Sequence, residues 1–240
     1  MLRLVLMVTL MITFSNFVAA QDEGEQAAEI RAKLIEAFPN FTPDSIKPSA
    51  LPGFHEAAYG IQVIYVSNDG RYVIEGNLFD IGDNRKDLTE LSQAELRKEY
   101  LVEVQKQESI NFGSKKPKHV VTVFTDIDCP YCRKLHDEMD EYASYGIQVN
   151  YLLFPRTGLS SAGYHKSVSI WCSDDRADAL TRAKAGEDIG NQACENPVKE
   201  HYQIGKKVGV TGTPAVLTED GRLFPGYLPA KQMAQRLDQK

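Results

Sequence analysis

Basic clusters, internal repeats, low-complexity tracts and a second long apolar run are all missing from this 240-residue chain. Without a Lys/Arg-rich or aromatic-interleaved basic stretch nothing can neutralise a phosphate backbone, which sets nucleic acid aside as a partner. After residue 18 no apolar segment approaches the roughly 20 residues that cross a bilayer, so membrane insertion of the mature chain is not expected. Histidine and cysteine are both scarce, at five and four. His55, His165 and His201 fall at no metal-ligand spacing, and the pattern calls for neither a metal nor another cofactor.

What is present begins with Arg3, an uncharged apolar stretch from Leu4 to Val18, and Ala19-Ala20 ahead of Gln21-Asp22-Glu23. This reads as a secretory signal peptide with cleavage expected after Ala20. An uncleaved anchor is disfavoured by the short run and by Thr13, Ser15 and Asn16 within it. Losing the leader removes Arg3 and leaves 26 Lys and Arg against 33 Asp and Glu, a net charge of −7. Export also places the cysteines where disulfides form and persist. Four cysteines permit three connectivities. Their spacings differ in kind and favour Cys129 with Cys132, in a C-x-x-C, and Cys172 with Cys194.

Residues 21–82 read as a small α+β domain. Ile30, Leu34 and Phe38 recur every four residues on a charged background, the period of an amphipathic helix, and Pro39 stops it. The β-branched run Ile61–Val66, the turn Asn68-Asp69-Gly70 and the run Tyr72–Ile74 predict a hairpin. So short a domain buries only a marginal core and would gain most from pairing with another copy. Residues 83–113 read as a helical linker, with Leu96, Tyr100 and Val104 four apart, ended by Asn111-Phe112-Gly113-Ser114. Residues 114–240 alternate strand and helix. Val120–Phe124 predicts a buried strand, a helix runs from the C-x-x-C to Tyr145, and Ile147–Phe154 predicts a second strand. Helices follow around 162–171, 174–185 and 197–208, then strands at 215–217 and 223–224 and a helix at 230–237.

The chemistry lies where strand gives way to helix. Disulfide exchange needs one thiolate to attack and a second thiol to release the mixed disulfide. At a helix N-terminus unpaired N–H groups and the dipole favour the thiolate, which makes Cys129 the nucleophile and Cys132 the resolving thiol. Pro130 suits the first helical turn, and Tyr131 reads as a surface contact to substrate or a spacer rather than a catalytic acid. Zinc binding is the competing use of a C-x-x-C, but a second half-site is missing; an inert structural disulfide is the other. Thr211-Gly212-Thr213-Pro214-Ala215 enters a strand, and sequence physics alone favours a trans proline there. His136, Asp126 and Asp128 flank the motif and read as hydrogen-bonding, capping or turn residues as readily as functional ones, and Trp171 reads as core.

From Gln21 onward the chain resembles the DsbC/DsbG family of periplasmic thiol-disulfide interchange proteins. The resemblance is carried by residues 119–132 (HVVTVFTDIDCPYC), Lys134-Leu135-His136, residues 151–156 (YLLFPR), Ile170-Trp171-Cys172, Gly212-Thr213-Pro214-Ala215 and Pro225-Gly226-Tyr227. It implies a thioredoxin-like C-terminal catalytic domain with inserted helices, preceded by a small α+β, cystatin-like dimerisation domain and a helical linker. It further implies a homodimer through the N-terminal domain, a periplasmic location, misoxidised exported proteins as substrates and a membrane reductase of the DsbD type as electron donor. Pro214 is implied to be cis, which would turn the Thr213 backbone toward an extended substrate. Cys172 and Cys194 match a structural disulfide of the DsbC branch. That branch usually has Gly-Tyr between its active cysteines, whereas Pro130-Tyr131 is usual in the DsbG branch. The expected function is isomerisation or reduction of incorrect disulfides. A DsbG-like reductase protecting single cysteines, or a holdase chaperone with secondary thiol chemistry, are the competing readings.

Overall fold

A helix stops one residue short of Phe38, because Pro39 disfavours helical geometry in the residue before it. It is α1, residues 23–37 of a computed structural model that describes residues 23–239; the signal peptide and its cleavage point lie outside the described residues. Ile30 and Leu34 of α1 pack on Ala57 and Val66, whereas Phe38, expected on the same stripe, is exposed. The described residues form two compact units that divide between Thr89 and Glu90.

In the first unit four antiparallel strands lie in the order β1-β2-β3-β4: Ser45–Pro48, Phe54–Tyr59, Gln62–Ser67 and Val73–Glu75. β3 and β4 form the expected hairpin. Gly70 turns it at φ +67, and a Cβ there would meet Lys33 Cδ at 2.5 Å. Sequence patterning misses β1 and β2. β1 is an exposed edge ending in Pro48, and β2, with the sequence FHEAAY, holds none of the β-branched residues that mark strands. Pairing on both sides makes β2 a central strand regardless. A short ladder, β5 (Phe79–Asp80) with β6 (Lys86–Asp87), follows.

The second unit is a thioredoxin-like sandwich. After α2 (Leu88–Gln105), five strands lie in the order β11-β10-β8-β9-β7. They are β7 (Ile110–Gly113), β8 (His119–Thr125), β9 (Ile147–Leu153), β10 (Ala215–Thr218) and β11 (Leu223–Pro225). β8 and β9 are parallel; the other pairs are antiparallel. β7 corrects the sequence reading, which ends the linker at 111–114 and places no strand there. Its residues, INFG, alternate over only four positions at the end of a helical stretch, too short to read as a strand, and pairing with β9 makes them one. Alternation along the strands sends Val121, Val123, Val149, Tyr151 and Val216 to one face, and Phe124, Leu152, Ala215 and Leu217 to the other. The first face is covered by α3 (Pro130–Asp137), α4 (Met139–Ser144), α5 (Ala162–Trp171), α6 (Arg176–Lys184) and α8 (Ala230–Asp238). The second is covered by α2 through Val104 and by α7 (Val198–Lys207) through Ile204.

The helix expected to run unbroken from the C-x-x-C to Tyr145 is interrupted at Glu138, where φ is −98 and ψ 14. The Glu138 carboxylate accepts from the Tyr227 hydroxyl and from the Ala230 N–H at the start of α8, so the break is tied to the C-terminal helix. Buried Arg97 fixes α2 in the same unit, donating to the carbonyls of Val208 (2.9 Å) and Gly221 (3.2 Å) and pairing with Glu90.

Candidate active site

β8 carries its apolar run to Thr125, and a short turn then delivers Cys129 as the N-cap of α3. Cys129 keeps an extended backbone, φ −83 and ψ 120, and has Pro130 behind it in the first turn. Cys129 thus caps the end of α3 where the first-turn N–H groups lack partners within the helix. Its thiol donates to the Thr213 carbonyl at 3.2 Å, so folding joins two segments 84 residues apart. The Thr213–Pro214 peptide is cis. Cys132 sits one turn into α3 with no exposed surface. Both cysteines are free thiols.

Burial pushes the Cys129 thiol up, but hydrogen bonding from the Thr213 side chain and from the Cys132 backbone and thiol, with the Arg156 charge, outweighs it and holds Cys129 below its ordinary value. Cys132 goes the other way: burial raises it, against the lowering charge of Lys184 and hydrogen bonds from Asp126, Thr213 and Thr125. Of the two thiols, Cys129 is thus the easier to ionise and Cys132 is held back, an asymmetry suited to disulfide exchange. Arg156 is placed by the buried carboxylate of Asp126, which accepts from its backbone N–H (2.8 Å) and Nε (3.2 Å) and also from Asp128 N–H (2.8 Å). Asp126 is therefore a positioning group for the cation beside Cys129. Asp128 pairs with Lys166 at 2.6 Å on the surface. Tyr131, between the two cysteines, stands 63% exposed.

Cys172 and Cys194 are disulfide-bonded and join the end of α5 to the loop ahead of α7, within the helical insertion between β9 and β10. Trp171 packs edge-on against His201 and under the Arg176 guanidinium. His136 is buried. Its Nε2 donates to Thr181 Oγ1 (3.0 Å), whose own proton goes to the Ala177 carbonyl, and its Nδ1 faces the Tyr151 hydroxyl at 3.4 Å. Burial, helped by the Lys184 charge, pushes His136 down to about 4, so the ring is neutral. Sequence reasoning does not single out Arg156, Thr125, Tyr151 or Lys184. Arg156 lies in the YLLFPR stretch, but nothing in the exposed-looking pattern of α6 marks Lys184 as buried. Among the described residues no three His, Cys, Asp or Glu side chains converge as metal ligands.

Known proteins match both units. Residues 19–90 match the disulfide bond isomerase protein N-terminal domain, and residues 105–240 match a thioredoxin-like domain. The chain is 34% identical over 238 residues to thiol:disulfide interchange protein DsbC of Escherichia coli K12, covering 96% of this chain and 93% of that protein. It is 36% identical over 241 residues to the DsbC of Salmonella typhimurium, covering 98% and 94%. Among solved structures, the thiol-disulfide exchange protein alpha-DsbA2 of Wolbachia pipientis superposes with a TM-score of 0.51 at 15% identity, over 62% of this chain and 96% of that one, a likeness of fold. Since the similarity to DsbC runs nearly end to end and takes in both modules, the chain belongs to the DsbC family of thiol:disulfide interchange proteins.

Proposed function

We propose that Cys129 performs the interchange as nucleophile and Cys132 as resolving thiol, acting on misoxidised exported proteins in the periplasm. The observation that carries this is the Cys129 thiol at the head of α3, held against Thr213 and below its ordinary pKa. The Cys129 thiolate attacks a substrate disulfide, forming a mixed disulfide and releasing one substrate thiolate. That thiolate, or another in the substrate, can attack back and leave a rearranged disulfide with the enzyme still reduced. Alternatively Cys132 attacks the Cys129 sulfur, frees the second substrate thiol and leaves the enzyme oxidised, to be reduced again by a membrane reductase of the DsbD type. The backbone of Thr213, turned by Pro214, supplies strand-like pairing for an extended substrate, with Pro130 and Tyr131 as neighbouring contacts.

The N-terminal module, residues 21–82, is read as the dimerisation domain, and the thioredoxin-like unit, whose sheet takes in β7 at 110–113, as the catalytic domain. Support for a homodimer comes from β4, an edge strand whose Val73 and Ile74, with Tyr72, are exposed. Exposed apolar edges of this kind are what a second copy would cover.

Refolding of a scrambled multi-disulfide protein tests the assignment. Wild type should restore activity to the substrate, Cys129→Ala should lose all rescue, and equal rescue by that variant would sink the nucleophile assignment. Cys132→Ala should accumulate mixed disulfides. Pro130, shared with the DsbG branch, favours a second reading as a reductase of single cysteines. That reading requires the species trapped on Cys132→Ala to be partners with one cysteine; partners with several disulfides support isomerisation.

A further inference from the structure

The last residue of α6 points into the domain. Lys184 is 3% exposed and is the sole buried lysine among the described residues. Its Nζ donates to Thr125 Oγ1 at 2.8 Å and lies 5.7 Å from the centre of the Tyr151 ring. Among the described residues it forms no ion pair with a carboxylate. A buried ammonium without a carboxylate partner is costly, and an unbranched apolar side chain would fill the place without that cost. Thr125 is fully buried at the end of β8, four residues ahead of Cys129. One turn earlier on α6, Thr181 reaches under α3 to His136. The inserted helix thus sends a polar arm beneath the dithiol.

We propose that Lys184, acting with the Thr125 hydroxyl it holds, is a positioning residue for the resolving step, favouring the Cys132 thiolate from below while the helix terminus, Thr213 and Arg156 serve Cys129. The proposal rests on the reading of Cys132 as resolving thiol. The groups facing Lys184 are Cys132 and Arg133 of α3, Cys129 at its cap, Asp126 beyond β8, His136 and Tyr151. At Cys132, Lys184 is the foremost influence opposing the burial that raises its pKa, and Thr125 adds a hydrogen bond in the same sense. Burial pushes Lys184 itself down to about 8, against the pull of Cys132, Cys129 and Asp126, so the amine stays mostly protonated at neutral pH. In the step, Cys132 gives up its proton and its sulfur bonds to Cys129 Sγ. The bond from Cys129 to the substrate sulfur breaks, and the departing thiolate takes a proton. Lys184 remains an ammonium throughout, so the dithiol is oxidised and the substrate reduced with no other reagent.

A single-turnover reaction of the reduced full-length protein with a chromogenic aromatic disulfide separates the two thiols. Attack by Cys129 releases the first aromatic thiolate; attack by Cys132 releases the second. Lys184→Met, neutral and of similar length, should slow the second phase about tenfold at neutral pH and move its pH profile up by about one unit, as loss of a nearby opposite charge requires. The first phase should change less than about twofold on the same grounds, since its main supports are elsewhere. Thr125→Val should shift the second phase in the same direction and decides the matter if Lys184→Met does not fold. An unmoved second phase in the folded variants overturns the proposal, and so does an equal shift of both phases. A wild-type protein that releases only the first equivalent overturns the assignment of Cys132 itself, and the proposal with it.

Discussion

At the scale of single residues, the two thiols of one short motif are set apart by their surroundings. Cys129 has hydrogen bonds and a cation to favour its thiolate, while burial dominates at Cys132. Arg156 is the part of this easiest to remove, because it is half-exposed and held by Asp126 rather than by the core. Arg156→Gln should raise the Cys129 pKa by a fraction of a unit to about one unit, the range for loss of a partly screened opposite charge. Ultraviolet absorbance of the thiolate followed through a pH titration reads the shift, and the pair should become a weaker oxidant because its reduced form loses stabilisation. An unchanged titration would remove Arg156 from the account. The motif and its place before a helix are legible in the sequence. Arg156 is not, since its reach to the sulfur depends on β9 lying beside β8.

Among the elements, two buried histidines tie helices to the sheet in their neutral form. His201 of α7 accepts the Leu153 N–H at Nδ1 (3.2 Å) and donates from Nε2 to the Glu108 carbonyl (2.9 Å); His136 joins α3 to α6 and β9. Burial pushes each down to about 4, from an ordinary value of 6.5. The unfolded chain therefore binds protons that the folded chain does not as pH falls from 6.5 toward 4, so stability drops over that window. The loss should reach about 2 to 3 kcal/mol per histidine at its lower end. Urea unfolding at a series of pH values measures it, and a His136→Gln/His201→Gln variant should show a flatter dependence over the same window. Helix positions follow closely from periodicity here, because each apolar stripe answers to one face of the sheet. Strands whose pattern is absent or too short to read, β1, β2 and β7, are set by their neighbours instead.

For the whole molecule, the two units differ in how well each covers itself. The catalytic unit buries apolar residues on both faces of its sheet, whereas the N-terminal unit leaves Phe41, Tyr72, Ile74, Phe79 and Ile81 exposed around a small core. If a second copy covers the β4 edge, Ile74→Asp should shift sedimentation from dimer to monomer while leaving the single-turnover reaction at Cys129 intact. Isomerisation of a large substrate, which needs the chain held while its disulfides rearrange, should fall more than reduction of a small one. A Cys129→Ala/Cys132→Ala protein that still suppresses aggregation of a cysteine-free client would show that the assembled surface binds unfolded chains without thiol chemistry.

The amino-acid sequence alone determined most helix positions, the hairpin in the first unit, the parallel pair that flanks the C-x-x-C, and the kind of chemistry two such cysteines can perform. These are local properties, written in period, turn residues and the identity of the side chains. Tertiary structure decided the rest. It brought Thr213 against a sulfur 84 residues away, turned a linker end into β7, broke the helix after the motif at a carboxylate held by α8, and buried Lys184 beneath the thiols. Each of these depends on which elements pack together, and the field at a sulfur depends on every charge and dipole that packing brings near it.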